Sequence, residues 1–92
     1  MIQILKLVSG EDVIAEVSSI DGSLKLKDAH RIVMTQEGLG LMPFMLFSKD
    51  KEFTISESHV LAKGEPEAEI RNAYSSQTGG VVIAKSNMLI TE

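Results

Sequence analysis

The chain has 92 residues and a mass of 10.0 kDa, enough for one domain with a modest core. It has no Cys, which excludes disulfides, thiolate metal sites and a Cys nucleophile. Its 13 acidic residues against 9 basic ones give a net charge of -4, which excludes the broadly basic surface of a strong, nonspecific nucleic-acid binder.

Residues 2–8, IQILKLV, predict a first strand with both faces partly covered, because little of the segment is polar. Seven apolar-rich residues before Gly10 are too few for a membrane span and lack the pattern of a signal peptide, so a cytoplasmic protein with no membrane partner is expected. Ser9-Gly10-Glu11 predicts a turn. Residues 12–20 predict a second strand with Val13, Ala15 and Val17 on one face. Asp21-Gly22 is a strong signal for a tight hairpin. Residues 24–34 predict a third strand, with Leu24 and Leu26 inward and Lys25, Lys27 and Arg31 outward.

TQEGLG, residues 35–40, predicts a loop. LMPFMLF, residues 41–47, is the most apolar stretch, and Pro43 restricts it to an edge or a bulge. Its Met42, Phe44, Met45 and Phe47 predict core or subunit interface, because large apolar side chains dominate burial. A charged turn, SKDK, comes next. EFTIS alternates again with Phe53 and Ile55 on one face, and SHVLA, residues 58–62, predicts a last short barrel strand. A helix is expected over about residues 66–77. Pro66 suits its first turn, Glu67 and Glu69 suit its positive end, and Ile70 and Tyr74 form its apolar stripe. Gly79-Gly80 stops the helix, and residues 79–92 form a C-terminal tail. The whole chain thus predicts one mostly β domain, a small antiparallel barrel or curled sheet of about five strands with one C-terminal α-helix.

The spacing of Gly10, Val13, Ala15, Val17, Asp21, Leu26, Asp28 and Ala29 resembles the first motif of the Sm-like (LSm) family, which implies a small bent antiparallel SH3-like barrel of about five strands. Ala15 stands where the family usually has Gly. The loop after Asp21 is shorter than the family's, and its base-reading Asn is absent. Ile55 and Val60 match the spacing of the second motif, with Ser56 and Glu57 in place of Arg-Gly. The chain also resembles small proteins of marine T4-like phages. The resemblance implies a homo-oligomeric ring of about five to seven subunits, with single-stranded RNA or DNA as its ligand. With it, Asp21, Ser23 and Ser56 at or beside the motif positions, and Lys25 and Lys27 of the outward basic cluster, are the candidate nucleic-acid contacts, and Phe53, Thr54, Ile55, Ser58, His59, Val60 and Leu61 the expected edge between subunits.

Each residue also has a plainer reading. Asp21-Gly22 is explained by turn chemistry, and the lysines by a solvated strand face. His30 and His59 each have a carboxylate two residues earlier, but no third ligand at a fixed spacing, so no metal or cofactor is expected. No nucleophile elbow or Gly-rich phosphate loop is present, so no enzymatic activity is expected. The leading expectation is a ring that binds single-stranded nucleic acid. The alternative is a phage structural or assembly ring that binds none.

Overall fold

The computed structural model describes residues 1–78. Among these residues six strands form one antiparallel sheet, followed by one α-helix. They are β1 (Ile2–Leu7), β2 (Asp12–Ile20), β3 (Ser23–Thr35), β4 (Gly38–Pro43), β5 (Glu52–Ser56) and β6 (Val60–Gly64). A 3-10 turn, Glu57–His59, joins β5 to β6, and α1 spans Ala68–Thr78. The order across the sheet is β4-β3-β2-β1-β6, with β5 also on β3. The expected mostly β architecture with a C-terminal helix is therefore what the chain adopts.

The β2–β3 hairpin arises directly from Asp21-Gly22. Both residues have positive φ, 46° and 81°, and Ile20 pairs with Ser23 across them. Two consecutive left-handed residues match the right-handed twist of the flanking strands, and Asp and Gly are the residues that tolerate them.

β3 is long and bent. Ile14 pairs with His30 and Glu16 with Lys27, so β3 holds one extra residue at this point. Asp28 lies at the irregularity, with φ of 54°. The bulge reverses the facing of everything beyond it. Leu24 and Leu26 face the core before it, and Ala29 faces the core after it. Arg31 pairs with Val13 and so shares the core-facing side, opposite to Lys25 and Lys27. The expected row of Lys25, Lys27 and Arg31 on one face does not form. Arg31 instead reaches Glu11 at 3.2 Å.

The bend also explains why six strands occur where about five were expected. One edge of β3 is matched by two strands, β4 along its second half and β5 along its first. Residues 44–51 leave the sheet between them, and Phe44 N–H to Ala29 O and Asp28 N–H to Lys51 O, at 2.9 and 2.8 Å, hold the two ends of this excursion. The expected loop over 35–40 shrinks to a two-residue turn, because Thr35 already pairs with Gly38. Ser58 and His59 belong to the 3-10 turn instead of a strand, and β6 begins at Val60. The tail, residues 79–92, lies outside the described residues.

Each face of the sheet carries a buried cluster. Leu5, Leu7, Val13, Ala15, Val17, Leu24, Leu26 and Ala29 form the inner core, with Phe44, Phe53, Ile55 and Val60 packed on it. On the outer face, Ile70 and Tyr74 of α1 clamp Ile14, flanked by Ile2, Ile4, Ile32 and Leu41. This is why β1 is apolar on both faces, with Leu5 and Leu7 on one and Ile2 and Ile4 on the other. Each such buried aliphatic side chain contributes on the order of 2 kcal/mol. Among the described residues, no helix is long and apolar enough to cross a membrane.

Candidate nucleic-acid interface

The hairpin register sets the site. Across β2, β3 and β5, Ile20 pairs with Ser23 and Ser23 with Ser56; Ser18 pairs with Lys25 and Lys25 with Thr54; Glu16 pairs with Lys27 and Lys27 with Glu52. Residues directly opposite one another share a face. Ser23, Lys25, Lys27 and Ser56 therefore lie together on the outer face, with Ser18, Thr54, Glu16 and Glu52 among them. Asp21 stands at the adjoining tip, in the turn. The five candidate contacts, from two segments well separated in sequence, fall on one continuous surface.

A second contact fixes the tip. The backbone N–H of Glu57 donates to the carbonyl of Gly22 at 3.0 Å. Ser56 caps the 3-10 turn: its hydroxyl oxygen accepts from the backbone N–H of Ser58 at 3.3 Å and lies 2.8 Å from the Ser58 hydroxyl. Ser56 is thus both a surface hydroxyl and a local structural cap.

The electrostatics are balanced. Lys25 lies 3.5 Å from Glu52, and Glu57 lies 3.6 Å from Lys63. Lys27 stands between two carboxylates in the ladder, Glu16 and Glu52. A cleft of about 480 Å³ borders this face, lined by Lys25, Lys27, Glu16, Glu52, Asp28 and Tyr74 among others. The Met1 ammonium is 2.9 Å from Glu16 in the same cleft. Tyr74 closes one side, donating its hydroxyl to Lys27 O at 3.2 Å. Burial, reinforced by the nearby negative charge of Asp28, pushes the Tyr74 phenol up from 10.0 to about 12. Such a surface offers hydroxyls and mutually compensated charges. It suits hydrogen bonding to polar edges better than neutralisation of phosphates.

The expected subunit edge divides into two kinds of residue. Phe53, Ile55 and Val60 are half-buried and turn inward onto the chain's own core, while Thr54, Ser58, His59 and Leu61 are exposed. Leu61 is exposed because β6 bulges there: Lys6 pairs with Ala62 and Leu7 with Val60, which leaves Leu61 without a partner. Among the described residues β5 pairs only with β3, and β6 only with β1, so each strand has a second edge without a partner strand. No group of three or more His, Asp or Glu side chains is arranged to hold a metal among the described residues.

Ser18, Glu16 and Glu52 join the surface without being expected there from sequence. Ser18 and Glu16 could have been found, because a two-residue turn at Asp21-Gly22 fixes which residues of β2 face Lys25 and Lys27. Glu52 could not, since nothing local sets the register of β5 on β3.

No known protein-family model matches the chain, and no curated protein matches it.

Proposed function

We propose that this chain is a homo-oligomeric, Sm-like ring protein that binds single-stranded nucleic acid, preferentially RNA, on the face formed by Ser23, Lys25, Lys27 and Ser56 with Asp21 at its tip. The supporting observation is the convergence of two separate segments on one polar surface, tied together by Glu57 and Gly22. Among the described residues the second edges of β5 and β6 have no partner strand, and such edges supply a means of closure by pairing with another copy. Binding by one subunit is weak, since Lys25 is already paired, and repetition around a ring multiplies it. The chemistry is recognition, not catalysis.

A second reading is an assembly ring, as in a phage particle, that touches no nucleic acid. The carboxylates among the lysines favour it: Glu16, Glu52 and Glu57 all border the candidate surface.

Lys25→Glu combined with Lys27→Glu separates the two. Both residues are exposed, so folding and assembly are expected to survive. Loss of oligonucleotide binding in a fluorescence anisotropy titration is the expected result. Unchanged binding removes this face as the site, and absence of binding in the parent chain favours the assembly ring.

A further inference from the structure

The cleft beside the candidate face contains an ion pair, Lys25 and Glu52, set diagonally across β3 and β5. Lys25 Nζ lies 3.5 Å from Glu52 Oε1, and both side chains are about half-exposed. That separation exceeds the about 2.7–2.9 Å of a tight charge-assisted hydrogen bond, and exposed pairs of this kind are weak. Both groups therefore keep bonding capacity for a ligand. An ammonium only donates and a carboxylate only accepts. Read across the pair, the cleft wall presents one donor, Lys25 Nζ, and then two acceptors, Glu52 Oε1 and Oε2.

That order complements one nucleobase edge. The Watson–Crick edge of guanine carries an acceptor, O6, followed by two donors, N1–H and N2–H. It makes three hydrogen bonds to the pair. Adenine and cytosine each set one ring acceptor beside one amino donor and make two. Uracil turns a second carbonyl toward Glu52 and is repelled there. The remainder of the cleft admits a base more readily than a phosphate. Glu16 and Asp28 also line it, and their charges oppose a phosphate. Ile2 and Tyr74 border it as well, and its volume of about 480 Å³ falls in the range of small-ligand sites. A neutral planar base meets neither charge repulsion nor a lack of room.

We propose that the Lys25–Glu52 pair reads guanine, with Lys25 donating to O6 and Glu52 accepting from N1–H and N2–H, so that the face prefers single-stranded RNA containing guanine. The inference rests on nucleic-acid binding at this face and adds its base preference. Glu52 is the specificity-determining residue, and Lys25 serves the base instead of a phosphate.

The test uses the full chain and five fluorescently labelled uridine heptamers whose central base is guanine, inosine, adenine, cytosine or uracil. Binding is followed by fluorescence anisotropy. A single guanine per strand prevents quadruplex formation, and inosine keeps O6 and N1–H while lacking the N2 amino group. The guanine strand is expected to bind at least about fivefold tighter than the uracil strand, with the other three between them. Glu52→Gln exchanges one acceptor for a donor at an exposed position and is expected to bring the guanine-to-uracil ratio close to one. Glu37→Gln removes the same charge from an exposed residue outside the cleft and is expected to keep the ratio. Because the readout is a ratio, a general gain in affinity from the lost charge does not mimic the effect. Equal affinities for the five strands, or a guanine preference that survives Glu52→Gln, overturn the inference and leave nucleic-acid binding by the chain standing. Failure of all five strands to bind overturns both.

Discussion

Glu57 N–H and Gly22 O, 3.0 Å apart, join the start of the 3-10 turn to the tip of the β2–β3 hairpin. The contact depends on the turn conformation, in which Gly22 has φ of 81°. Gly22→Val places a β-branched side chain in the left-handed region, at a cost of about 1–2 kcal/mol. Urea unfolding is expected to show a lower midpoint with an unchanged slope. Parent-like stability would mean that the turn does not hold this geometry.

Asp28 poses the same question inside a strand. Its φ of 54° is tolerable for Asp and strained for a β-branched residue. Asp28→Val is expected to lose about 1–2 kcal/mol, and Asp28→Gly to lose far less. Equal losses from the two would place the cost in the missing carboxylate, not in the backbone.

Ile70 is buried against the outer face of the sheet. Ile70→Ala removes most of one half of the helix stripe and is expected to cost about 2–4 kcal/mol. The loss is read by thermal unfolding monitored at a helix-sensitive wavelength. A change below about 0.5 kcal/mol, the range of ordinary surface substitutions, would show that α1 does not pack there.

Tyr74 gives an alkaline dependence. Its phenol ionises near 10 in the unfolded chain and at about 12 in the folded one. Between these values the unfolded state has released a proton that the folded state keeps, so stability falls as pH rises from 10 to 12 and is unaffected by this group below 10. Tyr74→Phe loses the hydrogen bond to Lys27 O, about 1 kcal/mol at neutral pH. It is also expected to flatten the decline above pH 10, measured by urea midpoints across that range. A decline of the same steepness in both chains would assign it to other groups.

Much of this architecture is legible in the residues themselves. Asp21-Gly22 announces the hairpin, the alternation of Val13, Ala15 and Val17 announces a half-buried strand, and Ile70 and Tyr74 announce the helix stripe. Each is a local signal. The bulge at Asp28 carries no Gly or Pro to mark it, so the reversal that sends Arg31 to Glu11 is invisible until β2 and β3 are paired. The split of the β3 edge between β4 and β5 is likewise nonlocal. The candidate surface was half legible: the turn fixes β2 against β3, while the pairing of Ser23 with Ser56 depends on a register that no short-range pattern specifies.

A ring that presents Ser23, Lys25, Lys27 and Ser56 to single-stranded nucleic acid is tested most directly by light scattering. The full chain is measured alone and with short RNA and DNA oligonucleotides, at low and physiological salt. The predicted result is a closed oligomer of about five to seven chains that gains the mass of an RNA oligonucleotide, with a shallow salt dependence because few cations are free to neutralise phosphates. A monomer under all conditions would contradict it.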